Sequence, residues 1–251
     1  MVEAAPGLSL SEREIEWAAD ATRFRMALSP GRVDVLGAIR SSSIALLLYP
    51  FGSESLEGGY QRDEFGQAYI VVNSSRPVSR QRFTAAHELG HHILHGDRID
   101  AIVLDEYLPE DGDQPADPIE EEAEIFASRF LMDERSTRTI ASEVAEPLEQ
   151  VLRVIAHFGV SKPAACRRLS GLGIIDPMKA LHIRKKQFSL GQALRERGLD
   201  DSTTKRDART DPGQEYVERM TRFFEIGLLP TETMHTIDQF APTKDRIMAD
   251  F

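Results

Sequence analysis

Residues 79–96 read SRQRFTAAHELGHHILHG, and the five residues His87-Glu88-Leu89-Gly90-His91 inside them form an HExxH pattern. On a helix, positions four apart lie on one face, so His87 and His91 can aim their imidazoles at a single ion. Glu88 adjoins the first of them and cannot reach the same point. It can instead hydrogen-bond a water activated by the metal, which is the place of the general base in a metallohydrolase. The surrounding residues predict a helix. Ser79 is placed to cap its start, Ala85, Ala86 and Leu89 favour the helical state, and Gly96 supplies the stop. Phe83, Ile93 and Leu94 give it apolar sides to bury.

Upstream, the pattern predicts a helix over residues 9–28, with Ser11 and Glu14 as a capping box and Trp17 as a packing anchor. Pro30-Gly31 breaks it, and a shorter helix is expected over 32–40. Ile44 to Tyr49 reads as a buried strand closed by Pro50 and Gly52. Gly58-Gly59 opens a hairpin-like segment with strands at 60–62 and 67–72 around a turn at 63–66. A sheet edge placed just before an HExxH helix is suited to holding an extended peptide.

Composition sets limits on function. The chain has 251 residues, 41% apolar and 28% charged, enough for one sizeable core or a core with a small appended unit. Its longest apolar run, Ile44 to Tyr49, is too short to span a bilayer. The first residues lack the basic start and apolar block of a signal peptide. Cys166 is the single cysteine, which excludes an internal disulfide framework and fits a reducing compartment. The expectation is therefore a cytoplasmic protein with no membrane partner. Net charge is −11, which opposes non-specific binding of nucleic acid by the molecule as a whole. The charge is uneven: residues 97–124 hold twelve acidic residues against one basic, and residues 153–186 hold eight basic against one acidic. The acidic stretch up to Pro118 is expected to be irregular, a mobile cover over the site.

A second strong helix is expected over 119–132. Two histidines leave zinc short of its usual three protein ligands, and a carboxylate here can supply the third. At about 100° per residue, Ala123, Phe126, Ala127 and Phe130 define the buried face, with Glu120 and Glu122 flanking it on opposite edges. Periodicity leaves both open.

At this point the motifs acquire a family likeness. The run from Arg82-Phe83-Thr84 through His87-Glu88-Leu89-Gly90-His91 to Leu94-His95, followed by Glu122-Ala123-Glu124-Ile125-Phe126-Ala127 and Leu131-Met132, resembles the ImmA/IrrE family of metallopeptidases. That family typically has an RFT-AHELGHxxLH block, then an E-A-N-x-F-A block ending in L-M-P. Ile70-Val71-Val72-Asn73 resembles its preceding strand. The likeness covers residues 40–175 and implies that His87, His91 and Glu122 hold a zinc ion and that Glu88 is catalytic. Two departures stand out. Glu124 replaces the usual Asn, with an expected effect on the ligands' surroundings, and Asp133 replaces the usual Pro.

The expected fold is α+β: a mainly helical, zincin-like metallopeptidase core with a small antiparallel sheet over 1–145, a helix-turn-helix-like segment over 146–186 and a helical region over 187–251. In the last region residues 216–226 and 231–240 are the helical candidates. The resemblance implies a zinc-dependent endopeptidase that cleaves a regulatory protein, of the helix-turn-helix repressor kind, to derepress a stress or mobile-element response. Two other readings stand beside it. One is a DNA-binding regulator with a structural or sensory zinc, making contact through Lys162, Arg167 and Arg168. The other is the toxin-like partner of a cognate antitoxin.

Overall fold

The computed structural model describes residues 10–51, 56–63, 65–96, 103–106, 117–205 and 221–229, with only the backbone described at 103–106. Helix α1 (Glu12–Arg25) starts at the expected capping box, in which Ser11 and Glu14 satisfy each other's backbone N–H groups. It turns Ile15, Ala19, Thr22 and Arg23 inward. Trp17 faces the other way and is 74% exposed, so it does not anchor the core as expected. Helix α2 (Val35–Arg40) is capped by Asp34, which accepts from the Gly37 N–H.

Strands β1 (Ala45–Tyr49), β2 (Leu56–Arg62), β3 (Ala68–Asn73) and β4 (Val103–Glu106) form one sheet in the order β1-β3-β2-β4. The β2–β3 hairpin is antiparallel, as expected, but β1 runs parallel to β3, so the sheet is mixed rather than antiparallel. The cause is the path of the chain. It passes beyond the site of β3 to lay down β2, then turns back through 63–67, so β3 enters the gap already running with β1. The β2 strand also begins earlier than expected, and Gly58-Gly59 lie inside it rather than at a turn. β4 falls in the acidic stretch expected to be irregular and pairs antiparallel with β2. Residues 97–102 and 107–116, on which the expected mobile cover depends, lie outside the described residues.

Side chains alternate across the sheet with the period of two that a strand imposes. Leu46, Leu48, Ile70 and Val72 join the main apolar cluster, which runs from Ile15 to Leu194. Leu47, Tyr49, Tyr69 and Val71 face the other way and are covered by Phe223, Leu228 and Leu229. Arg222 fastens that cover by donating to the Tyr69 hydroxyl and to Asp63 Oδ2, at 3.0 and 2.8 Å. Both faces being covered accounts for the unbroken apolar run of β1. Of the two helical candidates beyond residue 213, 216–220 and 231–240 lie outside the described residues, while 221–225 are helical.

Helix α3 (Val78–Gly90) carries the HExxH pattern and passes into a π-helical turn at His91–His95. Its cap is Pro77, without a side-chain bond, and Ser79 lies inside the first turn. The first N–H, that of Val78, donates instead to the Lys205 carbonyl at 3.0 Å, so a distant segment does the work expected of Ser79. Gly96 ends the turn with right-handed φ, not as a left-handed cap.

Helix α4 (Pro118–Leu131) lies across α3 and is covered on another side by α1. The crossing is close. A Cβ on Gly90 would come within 3.3 Å of Ala123 Cα and within 3.1 Å of Phe126 Cδ1. Helix α5 (Glu134–Ser142) follows, capped by Asp133. Asp133 also accepts from the Gly31 N–H at 2.9 Å and pairs with Arg23, whose guanidinium donates to the Phe130 carbonyl. The residue standing in place of the family's Pro thus ties α4, α5 and the end of α1 together.

Helices α6 (Pro147–Phe158) and α7 (Lys162–Gly171) are joined through Gly159 at φ +67°, the left-handed conformation that glycine adopts without strain. Lys162 Nζ donates to the Lys186 carbonyl at 2.6 Å, and Arg168, buried, donates to the Met132 carbonyl at 3.0 Å. Two of the three side chains considered for DNA contact are therefore engaged within the protein. Helices α8 (Pro177–Lys185) and α9 (Leu190–Arg195) follow. Among the described residues no helix is long and apolar enough to cross a membrane.

The α3–α4 crossing can be tested with a matched pair. Gly90→Ala and Gly171→Ala gain the same intrinsic helix preference, but Gly171 has nothing within 4 Å of the added methyl. Urea unfolding is expected to place Gly90→Ala about 1–3 kcal/mol below Gly171→Ala, the usual cost of overpacking. Equal stabilities would show that the crossing tolerates a larger residue.

Candidate metal centre

Arg82 and Thr84 of the RFT segment that leads into HExxH have separate tasks. Arg82 is buried and donates to the Phe158 carbonyl at the end of α6, at 3.1 Å, where the helix dipole favours a cation. Burial lowers its pKa to about 10, so it remains charged at neutral pH. Thr84 packs against β2, and a Cβ on Gly58 would lie 2.4 Å from its Cγ2. Ala85, Ala86 and Leu89 are wholly buried. The helix is thereby fixed in rotation about its axis, and the HExxH side chains with it.

His87 and His91 converge as the four-residue spacing predicts, with their Nε2 atoms 3.0 Å apart. The carboxylate that meets them belongs to Glu120. Its Oε2 lies 3.0 Å from His87 Nε2 and its Oε1 3.5 Å from His91 Nε2. One ligand atom from each of the three lies within 4.8 Å of the others. The histidines are buried, while the Glu120 side chain is 39% exposed, so the group opens to solvent on the α4 side. Glu122, expected as the third ligand, is outside this group. Its Oε1 accepts from the Leu10 N–H at 2.6 Å and its Oε2 lies 3.0 Å from His95 Nε2. The two carboxylates flank the buried face of α4 on opposite edges, and the side on which α3 crosses gives His87 and His91 to Glu120.

The donor set suits zinc: two imidazoles and one carboxylate are a catalytic ligand set that leaves a fourth position for water or substrate. Burial lowers the His91 pKa, against the opposing effect of Glu120, and so favours the neutral imidazole whose lone pair can bind a metal. Burial alone would raise the Glu120 pKa. The contacts with His87 and His91 outweigh it and keep the carboxyl well below its ordinary range.

Glu88 is fully buried on the sheet side of α3. A Cβ on Gly58 would stand 3.3 Å from Glu88 Oε1 and 2.7 Å from the Val71 carbonyl, so only glycine lets β2 and α3 come this close. One helical turn on, the Tyr60 hydroxyl meets His92 Nδ1 at 3.1 Å. Glu124 is exposed and lines a groove with Phe83, Ile125 and Arg167, away from the histidine group.

Residues 40–170 match the peptidase family described as the IrrE N-terminal-like domain. The chain belongs to that family. It is also 40% identical over 89 residues to the radiation response metalloprotease IrrE of Deinococcus radiodurans, a match covering 36% of this chain. The aligned part spans 25% of that relative's length. The matched residues of the IrrE-like family include α3, α4 and every member of the histidine and carboxylate group.

Periodicity left Glu120 and Glu122 both open, and the family likeness pointed to Glu122; the close approach at Gly58 and the pairing of His95 with Glu122 were not foreseen. One signal for Glu120 was present: a glycine in α3 and an alanine in α4 mark a close crossing, and Glu120 stands one turn before Ala123. Metal analysis discriminates the carboxylates. Glu120→Ala is expected to lose stoichiometric zinc, and Glu122→Ala to keep about one ion per chain when zinc is saturating. The reverse pattern would return the ligand role to Glu122.

Proposed function

We propose that this chain is a zinc-dependent endopeptidase in which His87, His91 and Glu120 hold the metal and Glu88 is the general base. The observation that carries the reading is the convergence of three ligand atoms within 4.8 Å, one helical position from a buried carboxylate. Zinc in such a site polarises the scissile carbonyl and acidifies a water molecule.

The chain's own residues do the rest. Glu88 takes the proton of the attacking water and passes it to the departing amine. Its seat against Gly58 keeps the carboxylate out of the ligand set, although it is sequence neighbour to a ligand. Burial of both histidines removes bulk water from behind the reacting centre, which strengthens each electrostatic contact there. The exposed flank of Glu120 leaves substrate a way in.

The substrate class follows from the family likeness: a regulatory protein of the helix-turn-helix repressor kind, cut to release a stress or mobile-element response. A relative whose name describes a radiation response metalloprotease supports the stress setting.

The test is Glu88→Gln in the zinc-loaded protein, with a helix-turn-helix repressor from the same genomic neighbourhood as substrate. Glutamine keeps the size and one hydrogen bond but cannot take a proton, so cleavage should fall about a hundred- to ten-thousand-fold. Metal content and melting temperature should stay at the unsubstituted level. Undiminished cleavage by folded, zinc-loaded Glu88→Gln would remove Glu88 from the mechanism. A purely structural zinc predicts a different result, in which His87→Ala unfolds the protein and no cleavage is found with either form.

A further inference from the structure

A second polar array lies behind the ligand group and away from solvent. His91 Nδ1 is 3.1 Å from His95 Nδ1, and His95 Nε2 is 3.0 Å from Glu122 Oε2. The chain ends at the backbone, where Leu10 N–H donates to Glu122 Oε1 at 2.6 Å. His91 and His95 are fully buried and Glu122 nearly so. Buried imidazoles can make such contacts only in complementary tautomers, because each Nδ1···Nδ1 contact needs one donor and one acceptor.

We infer that Glu122 and His95 are positioning residues that fix the tautomer and ring orientation of His91, and so set how tightly the metal is held. The inference rests on the reading of His91 as a ligand. The direction of every proton follows from chemistry. Glu122, anchored by Leu10, accepts from His95 Nε2–H. His95 then presents a bare Nδ1, which accepts the Nδ1–H of His91. His91 is left with its lone pair on Nε2, the atom that faces His87 and Glu120. Histidine ligands commonly donate their second N–H to a carboxylate or carbonyl. Here the carboxylate acts through a second imidazole.

The π-helical turn explains why His95 can serve. Its i→i+5 bonding winds the chain more loosely than an α-helix, so His95 is rotated back over His91 instead of drifting past it. The rings lie 5.2 Å apart at 53°.

The test uses the full chain and zinc or cobalt as the probe. Competition against a chromophoric chelator is expected to show about ten- to a hundredfold weaker zinc binding for His95→Phe and Glu122→Ala. Stoichiometry at saturating zinc should be retained. The visible spectrum of the cobalt form should shift in both, since the field at His91 changes. Glu122→Gln preserves an acceptor for His95 and is expected to restore affinity and spectrum to within a few-fold of the unsubstituted protein, which keeps the test open if Glu122→Ala fails to fold. For the same reason His95→Gln, with a carbonyl acceptor for His91, stands behind His95→Phe and should bind zinc more tightly than it. Unchanged affinity and cobalt spectrum in the folded variants would overturn the positioning role while leaving the metallopeptidase reading intact. Absence of zinc binding by the unsubstituted protein would overturn both. Outright loss of zinc from Glu122→Gln would also overturn the positioning role, by making Glu122 a ligand.

Discussion

The near-contact of two helix backbones at Gly90 and Ala123 is the constraint on which the rest of the molecule depends. A Cβ at residue 90 would meet α4 at 3.1 to 3.3 Å, so the helices approach as closely as their own atoms allow. At that distance a carboxylate one turn from Ala123 can touch two histidines on either side of Gly90. With a larger residue at the crossing, Glu120 would be held off by roughly the width of a methyl group. Interiors have little spare volume to absorb such a shift. Helix α4 is itself fixed from outside: Arg129 reaches Glu12 and Glu16 of α1, and Arg23 reaches the Phe130 carbonyl.

Helix α3 has a glycine contact on its other side as well. Gly58 of β2 lies where Thr84 and Glu88 press on the sheet. The HExxH helix is thus clasped between a strand and a helix, with His87 and His91 toward α4 and Glu88 toward β2. This separation by face gives adjacent residues different surroundings. It also concentrates His87, Glu88, His91, His95 and Glu122 in a dry interior. Burying so many polar groups is costly unless they satisfy one another. The contacts among the histidines and Glu122 run as one connected series, so a substitution at one position is felt at the next.

How far the sequence discloses this arrangement depends on the range of the interactions involved. Helix α1 with its capping box, the β2–β3 hairpin, and the pairing of His87 with His91 are local matters of periodicity and end chemistry, and they read correctly. Which carboxylate meets the histidines is not a local matter. Glu120 and Glu122 are equivalent by helical phase, and only the crossing side chooses between them. Ser79 looked like a cap because its type and place were right, but Lys205, far away in sequence, satisfies the helix start. Trp17 looked like an anchor because tryptophan usually is one, while the helix phase turns it outward. The mixed sheet escaped notice because strand order is a property of chain path, which alternation of side chains does not encode.

The basic segment from 153 to 186 shows the same limit from another direction. Its excess positive charge and its helix, turn and helix resemble a surface for nucleic acid. Yet Arg168 is turned into the Met132 carbonyl, Lys162 into the Lys186 carbonyl, and Arg153 pairs with Glu143. Arg168, which donates to a buried carbonyl, is held by the fold and is poorly placed to release counterions from a phosphate backbone. What these helices do instead is visible at α3. The end of α6 receives Arg82 from the motif that opens the HExxH helix, and the segment after α9 receives the Val78 N–H. The turn residue Gly159 sits against Thr203 and Arg32, closing the three segments on one another. The α6–α7 pair and the residues up to Lys205 therefore hold the start of the HExxH helix, as β2 and α4 hold its middle and end.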